Sequence, residues 1–300
     1  MRVILLGTAA GGGFPQWNCA CVLCRRARAG LLPARTQDCV AVSGDSRSWW
    51  LLNASPDLGA QLLATPRLAP GPGPRDTPLC GVLLTDAEAD HTLGLPLLRG
   101  GPPLAVLATS TVLDALPLRS AIDRYTPWSW THLHPGVPQV LSGGLQVTVH
   151  PLGSKAPKFV DSPAPKGLWV SALRLTDLGT GATLLYAPCF GAWSPGLDAL
   201  VAGVDCALLD GTFHTADELG VRAPGAPAQR SMAHLPICGT DGTDGTDGSL
   251  AALARHPRVR RVYTHLNNTN PLLDPASPLH AELKRNGVEL LPDGSELLLR

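Results

Sequence analysis

Leu83-Leu84-Thr85-Asp86-Ala87-Glu88-Ala89-Asp90-His91-Thr92-Leu93-Gly94-Leu95 is the stretch on which the reading of this chain turns. The apolar run from Gly81 to Leu84 reads as a buried strand, and it ends in three carboxylates and an imidazole between Asp86 and His91. Acids packed so closely repel one another unless a cation or bound protons compensate. A metal site is the economical explanation. Its competitor is a solvated acidic turn capping the next helix, since Asp and Glu are common at helix starts. Two further strand ends favour the metal. Leu208-Leu209-Asp210-Gly211-Thr212 places an Asp directly after an apolar strand, and Val262-Tyr263-Thr264-His265 does the same with a His. Functional residues cluster at strand ends in layered α/β proteins. His91, His265 and a carboxylate from Asp90 or Asp210 make two His plus one carboxylate, the donor set of non-haem Fe(II) oxygen chemistry.

A second constellation lies upstream. Cys19-Ala20-Cys21-Val22-Leu23-Cys24 is C-x-C-x2-C. Three thiols this close cannot all pair as disulfides, and their spacing suits a tetrahedral soft-metal site, with structural Zn(II) the natural occupant. No fourth Cys stands nearby, so a His, an Asn carbonyl or a solvent molecule from elsewhere must complete the tetrahedron. Cys39, Cys80, Cys189, Cys206 and Cys238 are scattered, mostly in apolar surroundings, and read as buried free thiols acting as small hydrophobes.

Composition excludes several classes of partner. The 300 residues carry 24 basic and 24 acidic side chains, and only 16% are charged against roughly 25% in an ordinary soluble chain. A zero balance argues against nucleic acid or an anionic membrane surface as the main partner. No apolar run approaches the ~18–20 residues that span a bilayer, so no membrane insertion is expected. The opening Met1-Arg2-Val3-Ile4-Leu5-Leu6-Gly7 has an apolar core far shorter than the roughly 7–15 residues of a secretory signal. It reads as a first strand entering a Gly loop, and a cytoplasmic protein with reduced thiols is expected.

Short Val-, Leu- and Ile-rich runs separated by Gly and Pro predict strands at 2–7, 39–43, 48–53, 80–85, 104–108, 145–150, 168–175, 182–187, 204–209, 259–264 and 288–299. Helices are predicted at 57–64, 110–116, 196–202, 249–255 and 277–286, and no composition shift divides residues 1–300 into more than one domain. The alternation suggests packed sheets with helices outside. A dinucleotide fold is disfavoured, because Gly11-Gly12-Gly13 lacks the G-x-G-x-x-G spacing and leads into Pro15. The repeat from Thr240 to Gly248, three copies of Thr-Asp-Gly, lacks the spacing of a calcium loop and reads as a loop expansion ahead of a helix.

The motifs taken together resemble a known family. They are Gly7-Thr8-Ala9-Ala10-Gly11-Gly12-Gly13-Phe14-Pro15-Gln16-Trp17-Asn18-Cys19, Asn53-Ala54-Ser55-Pro56-Asp57, Leu84 to His91, Asp210-Gly211-Thr212-Phe213, Met232-Ala233-His234-Leu235-Pro236-Ile237 and Thr264 to Pro271. In this order they look like the metallo-β-lactamase superfamily and, within it, the coenzyme PQQ synthesis protein B family. The resemblance implies an α/β fold, a four-layer αββα sandwich, with an active-site metal on Asp90, His91, Asp210 and His265. Where the superfamily has H-x-H-x-D-H this chain has Asp86-x-Glu88-x-Asp90-His91. One metal of the usual pair thus loses its nitrogen ligands, and a single harder ion, Fe(II), is favoured over a di-zinc centre. Asp86 and Glu88 are expected as supporting or proton-transfer groups, and His234 as a catalytic side chain of the same pocket. His150 reads as an ordinary strand-end residue, and His132, His134, His214, His256 and His280 as structural or surface residues. By similarity to phosphodiesterases with C-x-C-x2-C, Asn268 is the expected fourth partner of the cysteine-bound zinc.

The activity implied by the resemblance is a step of pyrroloquinoline quinone (PQQ) biosynthesis. It is an iron- and O2-dependent hydroxylation of the tyrosine ring in a cross-linked Glu–Tyr diamino acid. The implied partners are this small substrate and O2, with a homodimer compatible; Lys155 and Lys158 are candidates to meet substrate carboxylates. Two rivals stand beside it. One is a zinc hydrolase, the other a non-enzymatic carrier moving the quinone or its precursor toward the periplasm. The acidic cluster separates them, since a carrier needs no reactive ferrous site.

Overall fold

Period-two alternation of apolar side chains builds two sheets in the computed structural model, which describes residues 1–160, 168–219, 232–239 and 248–300. The first sheet contains β1 (Arg2–Gly7), β2 (Cys39–Ser43), β3 (Trp49–Leu52), β4 (Leu79–Leu83), β5 (Ala105–Ala108) and β6 (Ser129–His132). The second contains β7 (Gln139–Leu141), β8 (Leu145–Gly153), β9 (Val170–Asp177), β10 (Thr183–Ala187), β11 (Cys206–Asp210), β12 (Arg260–Thr264) and β13 (Val288–Leu290). The last strand, β14 (Glu296–Leu298), returns to the first sheet beside β1, giving the orders β14-β1-β2-β3-β4-β5-β6 and β13-β12-β11-β10-β9-β8-β7. Pairing is parallel from β3 to β6 and from β10 to β13, and antiparallel elsewhere.

Side-chain direction sorts the core into three layers of contact. Val3, Leu5, Val40 and Val42 face Val147, Leu173, Leu184 and Tyr186 in the gap between the sheets. Their alternates Ile4, Leu6, Ala41 and Leu51 point outward, onto α2 (Leu58–Ala64), α4 (Ser110–Asp114) and α5 (Arg119–Ile122). On the far side Leu185, Ala207 and Leu209 pack against α1 (Val22–Arg28), α6 (Pro195–Ala202), α7 (Ser249–Ala254) and α8 (Leu279–Arg285). The result is helix, sheet, sheet, helix: the αββα sandwich. Among the described residues no helix is long and apolar enough to cross a membrane.

Two departures from the sequence reading have local causes. The single strand predicted over 288–299 is two, one on the edge of each sheet. Pro292 has no N–H for a ladder, and Gly294 takes φ +81°, so the chain turns out of one sheet and into the other. Asp293 anchors that turn by accepting from Thr8 Oγ1 (2.6 Å) and the Thr36 N–H (2.6 Å). The edge strands β6 and β7 and the helix α1 were not predicted; β6 and β7 are short, with mostly half-exposed or exposed residues, and carry little apolar signal. Of the Thr-Asp-Gly repeat, residues 240–247 lie outside the described residues.

Candidate metal centre

The site forms where strand ends of the two sheets meet. Leu266 donates its N–H to Thr8 O (2.9 Å), joining the end of β12 to the end of β1, and Ser171 N–H reaches Thr85 O across the gap (2.9 Å). After β4 the chain bends into the short helix α3 (Ala89–Thr92). Asp86 shapes the bend by accepting the Glu88 N–H (2.9 Å) and the Thr85 hydroxyl (2.8 Å). One turn on, His91 sets Nδ1 2.8 Å from both Asp86 oxygens. A carboxylate there makes Nδ1 the donor and leaves Nε2 as the ring atom that can face a metal once its proton is displaced. That Nε2 is buried and has no hydrogen-bond partner among the described residues. An orphaned buried nitrogen of this kind calls for a cation.

His265 reaches the same point from the other sheet. Its φ of +59° lies in the left-handed region, a strain of about 1–3 kcal/mol that a surrounding structure must over-determine. Thr212 does much of this, lying 2.9 Å from His265 O and 2.8 Å from Nδ1. With its hydroxyl proton on Asp210 Oδ1 (2.7 Å), Thr212 accepts from Nδ1–H of His265, which turns Nε2 toward Asp90. Both ε nitrogens converge on Asp90 Oδ2, at 3.3 Å from His265 and 4.0 Å from His91. Gly11 of the triple-Gly loop leaves room for that carboxylate, since a Cβ there would come within 3.0 Å of Oδ2.

Charge in this pocket is unbalanced without a cation. Burial disfavours a charged His91, yet the Asp86 and Asp90 carboxylates outweigh it and push its pKa to about 10. Burial likewise opposes a charged His265, and its hydrogen bond to Asp90 raises its pKa regardless. Burial would raise Asp90, but the His91 charge and the His265 bond hold it well below the usual carboxylate range. Protons thus stand in the pocket where a divalent ion would balance the acids, and metal binding releases them. The donor set N, N, O with converging lone pairs fits one such ion with positions left open.

The four ligands expected from the sequence do not gather as one set. Ligand atoms of Asp90, His91 and His265 lie within 4.8 Å of one another, whereas Asp210 groups with His234 and His265. Asp210 is fully buried and accepts from the Thr212 N–H (3.0 Å) and the Phe190 N–H (3.3 Å), and it holds His234 Nδ1 at 2.8 Å. His234 and His265 stack with ring centroids 5.3 Å apart. Glu88 faces elsewhere, paired with Lys155 Nζ at 2.7 Å, so Lys155 is held by this chain's own carboxylate; Lys158 is exposed. His150 belongs to no group of three metal donors among the described residues.

Some supporting residues had no assigned part in the sequence reading. Buried Asp38 accepts from Tyr186 Oη (2.9 Å) and Thr264 Oγ1 (2.8 Å), and Tyr186 in turn accepts from Asn53 Nδ2 (3.2 Å). Asn53 also binds Thr85, which links this chain of bonds to Asp86 and His91. The one signal for Asp38 is an acid at the mouth of an otherwise apolar strand, Cys39 to Val42. If this network orients His91, Asp86→Asn lowers active-site metal affinity by about 10–100-fold. A competition titration against a chelator reads that change directly, and an unaltered affinity would count against the role of Asp86.

The three clustered cysteines come together as their spacing suggested. Cys21 caps α1 by accepting the Cys24 N–H (3.4 Å), and Cys19 Sγ accepts the Cys21 N–H (3.5 Å). The Asn268 amide lies 3.4 Å from Cys24 Sγ, and a flip of that amide presents its oxygen instead. The loop that carries His265 thus sets the Asn268 side chain beside the cysteine trio.

Similarity to known proteins places the chain. Residues 48–266 match the model of the beta-lactamase superfamily domain. Full-length similarity is 40% identity over 311 aligned positions to coenzyme PQQ synthesis protein B of Pseudomonas fluorescens, and 39% over 316 to that of Azoarcus sp., each covering 100% of both chains. Among solved structures, Zn(2+)-bound PqqB from Methylobacterium extorquens superimposes with a TM-score of 0.91 at 34% identity over 100% of both chains. A diphosphatase of the PhnP family shares the fold with a TM-score of 0.67 at 18% identity, covering 99% of this chain and 97% of its own. The fold and the strand-end site thus define a protein of the metallo-β-lactamase class. Within that class, the chain belongs to the coenzyme PQQ synthesis protein B family.

Proposed function

We propose that this protein acts in pyrroloquinoline quinone biosynthesis as an iron- and O2-dependent hydroxylase of the tyrosine ring in the Glu–Tyr-derived diamino acid. The observation that carries the reading is the Asp90, His91 and His265 set, two imidazoles whose Nε2 atoms converge on one carboxylate oxygen. Held by these three residues, Fe(II) would supply the redox chemistry that activates O2, with open positions for its co-substrates. The chain's own residues do the rest. Asp86 keeps His91 in its Nδ1–H tautomer, and Thr212 does the same for His265. Asp210 orients His234 through Nδ1, leaving Nε2 to hold or remove a phenolic proton.

A zinc hydrolase is the second reading, favoured by the Zn(2+) in the Methylobacterium extorquens structure. Anaerobic reconstitution with Fe(II) or with Zn(II), followed by the diamino acid, O2 and a two-electron reductant such as ascorbate that takes the second oxygen atom to water, separates the two. The expected result is O2 consumption and a hydroxylated product with Fe(II) alone. Equal turnover with Zn(II), or product without O2 uptake, overturns the hydroxylase.

A further inference from the structure

Sequence alone read His214 as a structural or surface residue and Cys238 as a buried thiol. The structure assigns them instead, with Glu282, to a second metal site: we propose that His214, Cys238 and Glu282 bind Zn(II) behind the active-site loops. Their ligand atoms lie within 4.8 Å of one another, and all three side chains are half-buried. They come from three places in the chain, the loop after β11, the segment 232–239 and helix α8, so proximity in sequence does not explain the cluster.

Two observations favour a metal over chance contact. First, His214 Nε2 lies 3.5 Å from Cys238 Sγ. Tetrahedral zinc with Zn–N of about 2.0–2.1 Å and Zn–S of about 2.3 Å holds its nitrogen and sulfur about 3.5 Å apart. A plain imidazole–thiol hydrogen bond has the same length, so the third donor decides. The Glu282 carboxylate points to this pair and has no hydrogen-bond or ion-pair partner of its own among the described residues. Second, Cys238, Glu282, Asn286 and Leu250 border an open cavity of about 260 Å³, which admits the ion and a water as fourth ligand. Nitrogen, thiolate and carboxylate together are the borderline-soft set that zinc takes.

The placement gives the site a consequence for the chemistry next to it. His214 follows Asp210 by four residues and Cys238 follows His234 by four, and the two backbones are joined by the Cys238 N–H on His214 O (2.9 Å) and the Ile237 N–H on Phe213 O (2.9 Å). Zinc here ties both segments to α8 and so braces the Asp210–His234 pair.

The test uses the full chain loaded with excess Zn(II), desalted, and counted for zinc by mass spectrometry. Wild type is expected to retain one equivalent more than Cys238→Ser, His214→Gln or Glu282→Gln, and crystals to give anomalous zinc density at His214 Nε2. Zinc should also raise the thermal midpoint of wild type more than that of Glu282→Gln. Glu282→Gln alters only a half-buried helix residue, so it decides the case if Cys238→Ser fails to fold. Equal zinc counts in wild type and Glu282→Gln, with no anomalous peak at His214, overturn the proposal.

Discussion

His91→Ala is expected to abolish turnover and to remove one equivalent of metal while leaving the cysteine-bound zinc in place. The substitution deletes the buried Nε2 that has no other partner and separates Asp86 from the site it orients. Loss of a partner that merely orients a ligand costs about 10–100-fold in affinity or activity, and loss of the ligand itself exceeds that. Asp90 and His265 then remain as one oxygen and one nitrogen donor, too few to hold a labile divalent ion against water. Metal analysis of the purified variant, beside a steady-state assay, checks both halves of the expectation. Disappearance of both metals together would contradict two independent sites. Asp86 still accepts from Thr85 and Glu88 in the variant, so its carboxylate does not become an unpaired buried charge and the fold should persist.

Cys24→Ser is expected to have the largest effect on stability. Cys24 is the fully buried member of the trio, and its sulfur meets Asn268 from the loop after β12. Structural zinc binds with an apparent free energy of about 10–16 kcal/mol in finger peptides, where it supplies the whole fold. Here the Cys loop is also tied down by Cys19 N–H on Gln16 O (3.1 Å) and by α1, so only part of that energy is at stake. A loss of about 3 kcal/mol would lower the thermal midpoint by roughly 6–12 °C, at about 2–4 °C per kcal/mol. Asn268 follows His265 by three residues, so releasing it should also weaken the active-site metal, though less than His91→Ala does. A variant that keeps its zinc and its melting temperature would remove the cysteines from any structural role.

How legible the site was depended on how local its parts are. The C-x-C-x2-C spacing and the run from Asp86 to His91 lie within single turns of chain, where backbone geometry alone dictates which side chains meet. The triple-Gly loop was legible as a loop, but that Gly11 makes room for Asp90 follows only from the tertiary structure. Asp38 and Tyr186 were passed over because a lone acid and a lone tyrosine carry no spacing signal, although together they underpin the metal pocket. The long strand predicted over 288–299 failed for a related reason: apolar periodicity does not say which sheet a residue joins.

By itself the sequence determined the alternating strands, the layered α/β class, the acidic strand end and the cysteine cluster, because each follows from contacts between residues a few positions apart. It left open whether Asp90 or Asp210 completes the set with His91 and His265. Only the tertiary structure shows which carboxylate stands where: the end of β12 crosses the gap between the sheets onto the start of α3, placing His265 beside Asp90, while Asp210 turns to His234. It also gathered His214, Cys238 and Glu282, which no motif connects. The physical reason is the same in both cases. Convergence over tens to hundreds of residues is set by how sheets and helices pack, and packing is a property of the whole core.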